Sequence, residues 1–151
     1  MMPSLSRRSL MLGATLGLLG GAVTAQAATG PMTFTVPLTG AQSVPPVKTA
    51  GHGSAHLSYD AATRKLTWSV SYSGLSSPVT MAHFHEAPAG SNGKVALWIS
   101  KKGGKIKSPL KGAAVLTAAE AKAFMAGDLY VNVHTKKHPA GEIRGQVKPP
   151  M

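Results

Sequence analysis

The chain contains no cysteine. Thiol catalysis, iron–sulfur clusters, blue-copper ligation and cysteine zinc sites are therefore excluded, and the fold must stand without disulfides. Carboxylates are scarce too, with 5 Asp and Glu against 16 Lys and Arg in 151 residues. So few acids, scattered along the sequence, offer no paired-carboxylate site of the glycosidase kind. Aromatics make up 5% of the chain, and the lysine-dense stretch over residues 101–112 holds none. It lacks the stacking groups of a single-stranded nucleic-acid surface and reads as a solvated loop or hairpin. No Gly-x-Ser-x-Gly elbow, phosphate-cradling glycine loop or His-Glu-x-x-His motif occurs, so hydrolase, nucleotide-binding and zincin chemistry find no foothold. No catalytic residue is assigned.

Long apolar runs are missing as well, except at the start. Arg7 and Arg8 precede an apolar run over residues 10–23, and Ala25-Gln26-Ala27 follows. A basic region, a short apolar region and an A-x-A site make a signal peptide over residues 1–27, cut after Ala27. The run is rich in Gly and Ala and shorter than the ~20 apolar residues of a membrane span, so no transmembrane anchor is expected after cleavage. The paired arginines resemble a twin-arginine signal, with an ordinary secretory signal as the alternative. Either route predicts a periplasmic or secreted protein whose residues 28–151 form one domain. Export argues against nucleic acid as the partner of the basic surplus. Anionic envelope polymers or another envelope protein fit it better.

Alternation of period two dominates residues 28–151. In "KLTWSVSYSG", Leu66, Trp68, Val70 and Tyr72 fall on one face and Thr67, Ser69 and Ser71 on the other, the signature of a half-buried antiparallel strand. Similar runs begin at Met32, Gly53, Pro78, Lys94, Asp128 and Gly141, and Pro37 marks the first as an edge strand. One segment breaks the pattern. Thr117 as N-cap, Glu120 three residues on, an alanine-rich body and Gly127 as a stop predict one short helix. The expected fold is an all-β, antiparallel β-sandwich with that helix before the last strands.

His83 and His85 stand one residue apart in "MAHFHE" and share a strand face with Met81, because side chains on a strand alternate. In "YVNVHT", Tyr130, Asn132 and His134 share a face opposite Leu129, Val131 and Val133. If the two strands are neighbours, three imidazoles meet. Three neutral nitrogens with one open position suit copper or zinc. Met81, Glu86, His138 and Glu142 are candidates for a fourth ligand or for support behind the ligands. The competing reading is a metal-free hydrogen-bond network that fixes loops. Glu142 and Arg144 share a face of the last strand, where they pair with each other, position a histidine, or form a surface ion pair. His52 and His56 read as surface residues, and His138 as part of an exposed turn.

Several stretches together resemble the CHRD domain, the chordin-type domain also found in exported bacterial proteins. They are "LTGAQSVPPV", "GSAHLSYD", "YSGLSSPVTMAHFHEAPAGSNGKV" and, most specifically, "LYVNVHTKKHPAGEIRGQV". The resemblance implies an immunoglobulin-like β-sandwich and little fixed chemistry. Its distinctive motif falls on His83, His85 and His134, alongside Glu142 and a structural polar pair, Asn132 and Arg144. The H-x-H strand is also similar to that of copper–zinc superoxide dismutase, but this chain lacks that family's cysteine pair and its bridging and zinc-loop ligands. The expected function is an exported binding module holding copper or zinc through three histidines. The alternatives are a metal-free structural or interaction domain of the cell envelope, and a superoxide-dismutase-like or other metalloenzyme.

Overall fold

Alternating sequence becomes strand throughout the part of the chain that the structure, a computed structural model, describes: residues 30–100 and 106–151. The leader read over residues 1–27 and the first lysines of the 101–112 stretch lie outside the described residues. The strands are β1 (Met32–Thr39), β2 (His52–Asp60), β3 (Lys65–Ser73), β4 (Val79–Glu86), β5 (Lys94–Trp98), β6 (Leu110–Val115), β7 (Leu129–Thr135) and β8 (Ile143–Gln146). They join in one sheet of order β5-β4-β7-β8-β1-β2-β3-β6, with antiparallel pairing between neighbours. The class is all-β with one short helix, as the alternation predicts.

The sheet is curled. Trp68 of β3 meets Phe84 of β4 edge-on, ring centroids 5.6 Å apart, although β7, β8, β1 and β2 lie between those strands in the sheet. Inside the curl, Leu38, Leu66, Val70, Phe84, Val131, Val133 and Ile143 are fully buried. The seam of the sheet is thin, since β1 and β8 share a single register pair, Thr39 with Arg144. That corrects the reading of Pro37. Its strand lies inside the sheet rather than at an edge, yet only Thr39 of β1 is in register with β8. The missing N–H of a proline therefore breaks no run of ladder bonds on that side.

The lysine-dense stretch needs a second correction. From Leu110 it is strand, paired with β3 from Val70–Leu110 to Lys65–Val115. Gly112, Ala113 and Ala114 carry little strand propensity, so pairing and packing decide the conformation. Gly112 is also dictated by space, because a Cβ there would press on the Trp68 indole.

The helix α1 (Ala118–Ala126) starts and stops as its sequence prescribes. Thr117 Oγ1 accepts from the Glu120 N–H at 3.2 Å, and the Glu120 carboxylate accepts from the Thr117 N–H at 2.8 Å. Gly127 closes the helix in the left-handed region, φ 79°. Phe124 carries the packing. It is fully buried against Tyr59 at 4.6 Å and Phe34 at 6.1 Å, a burial that contributes about 2–3 kcal/mol. Among the described residues, no helix is long and apolar enough to cross a membrane.

Candidate metal centre

β4 and β7 are neighbours, and their register sets the site. Met81 pairs with His134, His83 with Asn132 and His85 with Tyr130. Partners in an antiparallel ladder share a face, so all six side chains project from one side of the sheet. β8 extends this polar layer, with Arg144 opposite Asn132 and Gln146 opposite Tyr130. The other face of the same strands carries Ala82, Phe84, Val131 and Val133 into the core. Loops cover the polar layer from outside, so every residue of β7 is buried.

His83, His85 and His134 converge. His83 Nδ1 lies 3.3 Å from His134 Nε2, and His85 Nε2 lies 3.4 Å from the same atom. One nitrogen from each ring falls within 4.8 Å of the others. The rings are 3%, 9% and 6% exposed, so bulk water does little to mediate between them.

The loops fix the tautomers. His85 Nδ1 is 3.0 Å from the Gly93 carbonyl, and His134 Nδ1 is 2.8 Å from the Pro139 carbonyl. A carbonyl only accepts, so each Nδ1 carries the hydrogen, and each Nε2 of the neutral ring presents a lone pair. Two lone pairs thus face each other with no proton between them. His83 adds to the mismatch, because its Nε2 is buried without a partner. Burial, followed by the neighbouring His134 and His85, pushes His83 down to about 4. Burial also lowers His85 and His134, partly offset by the Gly93 and Pro139 carbonyls. The trio is therefore neutral near pH 7, the form in which imidazole ligates metal.

The supporting residues act mainly on His85. Tyr130 stacks on its ring, centroids 5.0 Å apart and planes 7° from parallel, and the Arg144 guanidinium takes the other Tyr130 face at 3.5 Å. Arg144 Nη1 donates to the Ser91 carbonyl at 2.8 Å, and Nη2 donates to Gln146 Oε1 at 2.9 Å. The Tyr130 hydroxyl accepts from the Gly93 N–H at 3.1 Å. The residue whose carbonyl orients His85 is thus itself held by the ring that stacks on His85. Gly93 fits there because a Cβ would run into the Glu86 carbonyl. On the opposite side, Trp98 sets its ring edge-on to His83, centroids 4.1 Å apart.

The remaining candidates sort differently. Among the described residues, no carboxylate or fourth histidine is grouped with the trio. Glu86 pairs with Lys94 at 3.1 Å on the surface. His138 contributes backbone, its carbonyl accepting from Thr135 and Gly141. Met81 shares the trio's face as the register partner of His134. Asn132 donates to the Ala140 carbonyl at 3.3 Å, while its Oδ1 stays buried without a partner. Glu142 and Arg144 do not pair. Glu142 accepts from Thr49 at 2.6 Å, the Ser76 hydroxyl at 2.9 Å and N–H at 2.8 Å, and Thr135 at 2.7 Å. It ties two loops to β7 with no cation in contact. His52 and His56 are exposed, hydrogen-bonded to Ser73 and Thr35.

Sequence reasoning missed Trp98 and the two orienting carbonyls. A carbonyl leaves no trace in residue type, and a bulge between Phe84 and His85 shifts the β5 register that brings Trp98 opposite His83.

An all-β domain with a loop-covered layer of polar residues, three of them converging histidines, is the class that fold and site define. The family model of the CHRD domain matches residues 34–147, and the chain belongs to that family. No curated protein and no solved structure matches it.

Proposed function

We propose that this protein is an exported module that binds one copper or zinc ion through His83, His85 and His134. The observation that carries the reading is the pair of Nε2 lone pairs held toward each other at 3.4 Å by carbonyls behind each ring. His83 Nδ1, at 3.3 Å, is within reach to donate to His134 Nε2, which leaves His85 Nε2 without a proton toward it and His83 Nε2 without a partner. Buried acceptors without a donor are costly, and a cation removes the mismatch. The donor set fits. Three imidazoles without thiolate or carboxylate suit copper and zinc, and carbonyl hydrogen bonds behind two of them match the support that ligating histidines receive. A bound ion would supply a Lewis-acid or redox centre. The chain's own residues orient the rings, exclude water and keep them unprotonated.

The first test is elemental analysis of protein exported by its own leader, followed by calorimetric titration with Cu(II), Cu(I) and Zn(II). Stoichiometric binding that vanishes in the triple variant His83→Ala, His85→Ala, His134→Ala supports the reading. A metal-free protein that titrates with none of these ions rejects it.

The excess of 16 basic over 5 acidic residues favours a second reading, a metal-free envelope domain whose surface contacts anionic polymers or another envelope protein. Binding to such polymers that falls steeply with salt would support it. We also read the curled sheet as the two facing layers of an immunoglobulin-like sandwich, β5-β4-β7-β8 over β1-β2-β3-β6. The single pair at the seam and the Trp68–Phe84 contact support this.

A further inference from the structure

Among the described residues, β5 and β6 are the two ends of the sheet, and each is paired on one side only. Both line one cleft of about 800 Å³, walled by Trp68, Ala96, Trp98, Ser100, Lys111 and Gly112 among others. The chain has 2 tryptophans, and both line this cleft. Trp68 is 5% exposed, and its Nε1–H is buried without an acceptor. The Gly112 backbone packs directly on the indole, where any side chain would press on it. Of the large apolar side chains exposed in the described residues, Val95 and Trp98 belong to β5 and Val115 to β6, leaving Met125 and the terminal Met151 elsewhere. Unpaired edges with exposed apolar side chains are what natural sheets normally conceal.

We propose that the β6 edge takes up an extended segment of a partner protein as an added strand, with side chains entering the cleft between Trp68 and Trp98. The unmatched groups fit a peptide backbone. The free edge of β6 needs carbonyls and N–H groups in ladder register. The small residues Gly112, Ala113 and Ala114 let another backbone approach closely. Charge selects the partner. Among the described residues, Lys111 is the only ionisable one lining the cleft, and the chain carries a net +11. An acidic or neutral segment is drawn in, and a second copy of this chain is repelled. The proposal does not depend on the metal reading.

The probe is a short acetylated peptide alternating valine and threonine around one glutamate. Its control is the same peptide with alternate backbone amides N-methylated, which keeps the side chains and blocks the ladder. Tryptophan fluorescence reports binding, and amide hydrogen exchange of residues 111–115 reports pairing. The parent peptide is expected to change the fluorescence and slow exchange in β6, with N-methylation weakening binding about tenfold or more. Lys111→Glu, a change at an exposed side chain, should weaken the glutamate peptide and favour its lysine counterpart. Equal binding of parent and N-methylated peptides overturns the proposal, as does the absence of any response to the parent. A response to dodecanoate alone overturns it too, and would make the cleft a small-molecule pocket.

Discussion

β3 and β7 carry the same alternation and meet different surroundings. In β3, Leu66, Trp68 and Val70 are buried, while Lys65 and Thr67 are exposed and Ser69 and Ser71 partly so. In β7 both faces are buried, with Leu129, Val131 and Val133 on the core and Tyr130, Asn132 and His134 under loops. Alternation dictates which side chains share a face; it does not say what lies over that face. Over β3 it is solvent. Over β7 it is backbone carbonyls and a stacked guanidinium, and the histidines there become an oriented set.

The comparison breaks most readily at Glu142, which ties the Thr49 and Ser76 loops to the end of β7. Glu142→Ala leaves Thr49, Ser76 and Thr135 without their shared acceptor and is expected to cost about 3 kcal/mol in denaturant unfolding. A loss below about 1 kcal/mol would mean the loops hold without it. The same carboxyl makes the fold acid-sensitive. Burial raises it, but hydrogen bonds from Thr49, Thr135 and Ser76 outweigh that and bring it from 4.5 down to about 2. A carboxyl lowered by folding gives stability that is complete above its unfolded value and is lost as pH falls toward its folded one. Unfolding free energy should therefore decline between about pH 4.5 and pH 2, and Glu142→Gln should flatten that decline.

Arg144→Lys comes next. An ammonium cannot keep both the Tyr130 face and the fork to Ser91 and Gln146, so about 1–2 kcal/mol is lost. If the metal reading holds, affinity falls about tenfold through the loosened His85. A smaller effect is expected from His83→Leu measured without metal. The variant removes the unpartnered Nε2 but also the Nδ1 that lies 3.3 Å from His134 Nε2, so the two effects oppose and stability should stay within about 1 kcal/mol of the parent. Marked destabilisation would show that the trio is a structural network instead. On the open face, Ser69→Ala should stay within about 0.5 kcal/mol. A larger change there would erase the contrast with β7.

Much of this was legible in the sequence. The helix was fully specified by Thr117, Glu120 and Gly127, because its caps are local. The shared face of His83 with His85, and of Tyr130 with Asn132 and His134, followed from strand period alone. Adjacency of β4 and β7 did not, since strand order is a long-range outcome. β6 escaped notice because Gly112 and the alanines carry no alternating signal, and its pairing partner lies far back in β3. Glu142 and Arg144 look like a pair at spacing two, yet loops arriving from elsewhere engage each separately.

The three rings bring no negative charge, and the buried Arg144 guanidinium, which is positive, lies behind the Tyr130 ring that stacks on His85. An ion seated among these nitrogens would carry its whole charge into a poorly solvating interior. The self-energy of a buried ion grows with the square of its charge, so a monovalent ion meets about a quarter of the cost a divalent one meets. Were the ion copper, that asymmetry would favour the reduced state and raise the reduction potential.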